Sequence, residues 1–118
     1  PEKLRTHLIN VMILYGRPVE SDAFDTYFTD IHQPLLLGIP NVEQMATNFV
    51  AGAAQGEPPY YLIVELQFDS EDAMQEGLNS EMGQAMARDL SQFASGGATI
   101  LFTHATKQML KANSNANS

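Results

Sequence analysis

The segment His7 to Tyr15, HLINVMILY, limits the possible folds more than any other part of the chain. Rich in branched and aromatic residues and followed by Gly16 to Pro18, it reads as a β-strand. One alternate set is Ile9, Val11, Ile13 and Tyr15, and the other is Leu8, Asn10, Met12 and Leu14. Both sets are mostly apolar, so both faces of the sheet that holds this strand have to be covered. Helices packed on one face leave the other open, and a second subunit is the expected cover for it.

The next constraint is Ala23 to Leu36, AFDTYFTDIHQPLL. At about 100° per residue, Phe24, Phe28, Ile31 and Leu35 form one apolar stripe, with Tyr27 on one flank and His32 on the other. Ser21 or Asp22 is the expected N-cap. Pro34 has no N–H and disfavours helical geometry at Gln33, so the helix is expected to end near His32. With the stripe facing the sheet, Tyr27 and His32 fall at opposite margins, and His32 is expected to look toward Tyr15.

Asn41 to Ala51 is a strand candidate whose periodicity alone does not exclude a helix, and Tyr60 to Phe68, YYLIVELQF, is the clearest strand in the chain. The loop between them carries Gly52, Gly56, Pro58 and Pro59, which suggests an antiparallel hairpin. Ser70 caps a further helix with Glu71 and Asp72 in its first turn, and Ser80 offers a second cap, with a kink near Asn79. Ser95 to Gly97 breaks the chain before a last strand, Ala98 to His104. Residues 1–106 are expected to form one domain and residues 107–118 a polar tail ending in NSNANS. The order strand, helix, strand, strand, helix, strand is that of an α+β, ferredoxin-like fold: one antiparallel sheet with its helices on one face. Two such sheets facing each other in a homodimer would cover the open side.

Composition removes several function classes. Against 14 acidic residues stand 6 basic ones, giving a formal charge of −8. The basic residues are scattered, which argues against nucleic acid as a partner. No apolar run approaches the roughly 20 residues of a membrane span, so no membrane association is expected. Cysteine is absent, and a cytoplasmic location is the simplest expectation. Phosphate-cradling glycine motifs and a serine elbow are missing, and only His7 and His104 among the other histidines could pair, so no cofactor or metal is expected.

With these elements in place, the opening strand ending in Leu14 and Tyr15, the stretch AFDTYFTDIHQPLL, the stretch PPYYLIVELQFDS from Pro58 to Ser70 and SQFASGGATIL from Ser91 to Leu101 together resemble the EthD family of the dimeric α+β barrel superfamily. The resemblance implies a ferredoxin-like monomer that dimerises through its sheet and holds a small molecule between sheet and helices. EthD takes its name from bacterial ether degradation, and a chemical step is undefined for most members. Relatives in the wider superfamily include lactone isomerases, cofactor-free monooxygenases and haem-handling proteins.

The candidate site residues follow. His32 can move protons near neutrality, although its position alone fits the capping of helix-terminal carbonyls equally. The resemblance implies a site role, because His32 matches the family's histidine in the His-x-Pro-Leu segment. Glu65, on the parity of Tyr61, Ile63 and Gln67, would be a candidate acid or base if buried, and a solvated or interface-rim charge otherwise. Tyr15 and Asn10 could polarise a carbonyl, while Tyr27, Tyr60 and Tyr61 suit the lining of a pocket for an oxygenated organic molecule. The expected function is binding of a small, mostly apolar oxygenated molecule with acid–base chemistry of the isomerase, lyase or hydrolase kind. A non-catalytic binding or accessory role is the alternative, and a cofactor-free monooxygenase or haem-binding role a further one.

Overall fold

A computed structural model describes residues 8–107. His7 and residues 108–118 of the expected tail lie outside the described residues. Strand β1 (Leu8–Tyr15) lies between β3 (Leu62–Phe68) and β4 (Ala98–Ala105), and β2 (Gln44–Phe49) pairs with the other side of β3. All three pairings are antiparallel and the order is β2-β3-β1-β4. This is the expected α+β, ferredoxin-like arrangement.

Parity sorts the sheet. Ile9, Val11, Ile13 and Tyr15 of β1 and Leu62, Val64, Leu66 and Phe68 of β3 are all buried beneath the helices. The opposite parity, Asn10, Met12 and Leu14 beside Gln67, Glu65 and Ile63, forms the other face. That face remains half-buried at most positions within the single chain.

The first helical region departs from its expected course. Helix α1 (Ser21–Tyr27) does not stop at His32 but widens into one π-helical turn, Phe28–His32, and continues as α2 (Gln33–Leu37). The N–H of Gln33 donates to the Phe28 carbonyl, five residues back, which defines the wider turn. Pro34 thereby falls in the first turn of α2, where a missing N–H costs little, rather than terminating the helix. The extra residue moves the buried face by one position. Phe24, Phe28, His32 and Leu36 point inward, whereas Ile31 is 47% exposed and Leu35 only partly buried. The N-cap also differs from expectation: neither Ser21 nor Asp22 caps the helix, Glu20 occupies the cap position, and no side chain supplies the bond.

The strand expected from Asn41 begins instead at Gln44, because Asn41 adopts a left-handed turn (φ 74°) and donates its amide to the Ala73 carbonyl at 3.0 Å. Helices α3 (Glu71–Asn79) and α4 (Glu81–Phe93) meet at Ser80, as expected from the two caps. Ser70 Oγ accepts from the Ala73 N–H at 3.1 Å, and Ser80 Oγ from the Gly83 N–H at 3.1 Å. Among the described residues, no helix is long and apolar enough to cross a membrane.

Candidate active site

The π turn decides where the His32 side chain sits. It carries the His32 side chain to the sheet side of the helix, fully buried, directly over the C-terminal end of β1. There the Tyr15 hydroxyl lies 2.9 Å from His32 Nε2. The other ring nitrogen, Nδ1, lies 2.9 Å from Asp89 Oδ2 on α4, and the Tyr27 hydroxyl donates to Asp89 Oδ1 at 2.5 Å.

A carboxylate only accepts, so the network assigns the proton to Nδ1. Nε2 is then free to accept from the Tyr15 O–H, and one chain of bonds runs from Tyr27 through Asp89 and His32 to Tyr15. Burial pulls the His32 pKa down, against the opposing influence of the Asp89 hydrogen bond, and keeps the imidazole neutral. Burial, reinforced by the Asp89 charge, drives the Tyr15 pKa far above the ordinary phenol range, so Tyr15 stays a proton donor. Tyr27 is raised first by its hydrogen bond to Asp89.

Aromatic rings enclose the pair. Phe93 lies 4.6 Å from the His32 ring centre, Phe28 lies 5.8 Å from it, and Tyr15 meets Phe24 and Phe28 edge-on at 5.8 and 6.1 Å. On the far side of Phe24 and Phe93 is a pocket of about 320 Å³, lined also by Val19, Ala23, Tyr27 and Ser95, with Glu20 at its margin. A larger hollow of about 670 Å³ is lined from Glu20 to Ile31 by residues at the start and along the outer side of one helical region. With no opposing wall, it is an open groove and encloses nothing.

A histidine that is neutral when folded, with its pKa below the unfolded value of about 6.5, gives the protein a defined acid sensitivity. Between the two pKa values the unfolded chain binds a proton that the folded chain excludes, so stability rises with pH there. Acidification from pH 7 should therefore destabilise the protein through this residue, by at most about 1.4 kcal/mol per pH unit below about pH 6.5. Urea titrations at several pH values check this, and a His32→Gln variant should lose that portion of the slope.

The other expected site residues scatter. Asn10 and Glu65 stand on the opposite face of the sheet from His32 and do not join it. They instead border a small hollow of about 100 Å³ with Gln44, Gln67 and Lys107, in which Lys107 donates to Gln67 Oε1 at 2.7 Å. Asn10 Oδ1 is buried there without a hydrogen-bond partner among the described residues. Tyr61 precedes β3 and leaves Glu65's face: its hydroxyl donates to Asp25 at 2.8 Å and its ring meets Phe24 edge-on. Tyr60 is half-buried in the same approach to β3 and lies outside the network. Tyr27 and His32 do not stand at independent margins, since Asp89 joins them. Nor does His32 cap helix-terminal carbonyls, because the helix runs past it.

Sequence reading missed Asp89 and passed over Phe93. A signal was present. Asp89 lies three residues after Met86 and four before Phe93, which makes it an acid on the apolar face of an amphipathic helix. Among the described residues, no group of three or more His, Asp or Glu side chains is placed to hold a metal ion.

Comparison with known proteins places this geometry in a context. Residues 17–97 match the EthD domain. The uncharacterized 11.0 kDa protein of the thcB-thcC intergenic region of Rhodococcus erythropolis is 34% identical over 96 residues, covering 81% of this chain and 93% of that protein. Among solved structures, an EthD family protein of Bacillus halodurans superposes with a TM-score of 0.78 at 26% identity, covering 86% of this chain and 99% of the other. A dimeric ferredoxin-like protein of unknown function from Thermobifida fusca gives a TM-score of 0.66 at 14% identity, with 89% and 97% covered.

Proposed function

This chain belongs to the EthD family, and from that premise we propose that it takes up a small, mostly apolar oxygenated molecule and performs acid–base chemistry on it, such as an isomerisation or a dehydration. The observation that carries the reading is the continuous bond chain Tyr27–Asp89–His32–Tyr15 within a shell of aromatic rings. A neutral imidazole with its Nδ1–H held by a carboxylate is oriented to accept a proton at Nε2. On ligand binding the Tyr15 O–H turns from Nε2 to the carbonyl oxygen and protonates it while Nε2 takes the proton from the adjacent carbon, and the imidazolium so formed returns that proton to the Tyr15 oxygen. Tyr27 and Asp89 hold the imidazole in the required tautomer. Asn10 and Glu65 take no part in this step.

The open sheet face is covered by a second copy. Its half-buried apolar side chains and the unpartnered Asn10 Oδ1 favour this, as does the dimeric state of the Thermobifida protein. A chain that sediments as a monomer at micromolar concentration would refute it.

Solvent exchange tests the chemistry across whole compound classes at once. Monocyclic aldehydes, ketones and lactones are incubated with the protein in D₂O, and deuterium at the carbon beside the carbonyl is read by mass spectrometry. The expected result is catalysed exchange in one compound class, reduced about 10²- to 10⁴-fold in His32→Asn. Complete burial of His32 and Tyr15 favours the rival reading of a binding or accessory protein. That reading predicts saturable binding of the same compounds with no exchange above buffer.

A further inference from the structure

We propose that Phe93 is the gate between the pocket beside α1 and the buried Tyr15–His32 pair, and that its ring sets the size of the molecule admitted. The proposal rests on the reading of the preceding subsection. Two rings both line the pocket and touch the pair, Phe24 and Phe93. Phe24 is fixed: it is 5% exposed within α1 and packed among Phe28, Tyr61 and Phe93.

Phe93 has a different situation. It is the last residue of α4 and only half-buried. The next residue, Ala94, has already left helical geometry (φ −78°, ψ 84°), and a turn with Gly97 at φ 86° follows. The closing turn of a helix opens more readily than its middle, because its last carbonyls lack intrahelical partners. The Phe93 ring nevertheless carries the closure, lying 4.8 Å from Tyr27, 5.1 Å from Phe24 and 4.6 Å from His32 between ring centres.

With the ring in place, the pocket reaches the network only at Tyr27. With the ring displaced, the same pocket continues to His32 and the Tyr15 hydroxyl. Glu20 at the margin and the net charge of −8 disfavour anions, and the walls Val19, Ala23 and Phe24 are apolar. The admitted ligand class is therefore a neutral, mostly apolar molecule.

Diethyl pyrocarbonate, which acylates unprotonated imidazole, reads the gate directly when peptide mass mapping separates His32 from the exposed His104. In the wild type, His32 should react at least about tenfold more slowly than His104, and Phe93→Ala should raise the His32 rate by about tenfold or more without changing His104. Phe93→Leu should fall between the two and carries the test if the alanine variant does not fold. Met74→Ala, which hollows the core under α3, should leave His32 shielded. Equal shielding of His32 in wild type and folded Phe93 variants overturns the gate, as does equal unmasking by Met74→Ala. Gate and chemistry fail separately. An unmasked His32 with no deuterium exchange in any protein ends the acid–base reading alone, while wild-type exchange with an unchanged His32 rate in the Phe93 variants ends the gate alone.

Discussion

Replacing Asp89 with asparagine is expected to abolish most of the solvent exchange, by about 10²- to 10⁴-fold, while the chain still folds. The carboxylate faces two donors, His32 Nδ1–H and the Tyr27 O–H. An amide has one oxygen and one NH₂ group, so one of those donors must face a donor. The imidazole can escape by moving its proton to Nε2. Nδ1 then accepts from the amide, and Nε2–H points at the Tyr15 hydroxyl, so the base is lost at the position where the mechanism needs it. The stability cost is that of a disturbed buried hydrogen bond, about 1–3 kcal/mol. Nitrogen chemical shifts of His32 report the tautomer independently of activity. A flipped tautomer with wild-type exchange would show that Asp89 does not position the base.

The second large effect concerns folding. Phe28→Ala should cost about 3–5 kcal/mol, because the ring is 2% exposed and its removal leaves a cavity that few neighbours can fill. Phe28 packs edge-on to Tyr15, parallel to Phe24 at 6.3 Å, and against His32 and Phe49, so its neighbours belong to several elements and cannot relax together. Ile31→Ala supplies the contrast. A straight helix would bury Ile31 on the Phe24–Phe28 stripe and make it as costly, whereas with the π turn it is 47% exposed and should cost less than about 1 kcal/mol. Denaturant titrations of the two variants measure the register of the helix. Equal losses would mean that the π turn is not the state in solution.

The π turn also explains what could and could not be read in the chain. Periodicity correctly located an amphipathic helix at Phe24 and Phe28, and branched residues marked β1 and β3. The serine caps at Ser70 and Ser80 were legible because capping is local chemistry, decided within three residues. Pro34 misled for a physical reason. A proline is costly inside a regular helix, but a wider turn just before it absorbs the missing N–H, and that option is invisible at a constant angle per residue. The one-residue shift that follows exchanges Ile31 for His32 on the buried face. Glu65 and Asn10 were likewise correctly placed on strands by alternation. That alternation alone did not say that the helices cover the other side.

What the amino-acid order determined by itself is therefore the set of elements and their sequence along the chain, whereas a site role for His32 was implied only by the family resemblance. The elements depend on short-range chemistry: side-chain alternation, caps, and the backbone limits of proline and glycine. The tertiary structure alone decided that Asp89, 57 residues from His32, would bond to its ring, that Tyr27 would join the same carboxylate, and that the Phe93 ring would pack against His32. Such meetings depend on how α4 crosses the helical region above the sheet. That crossing is set by the packing of many side chains at once, including Met86 and Leu90 in the core, and no local window of the sequence contains it.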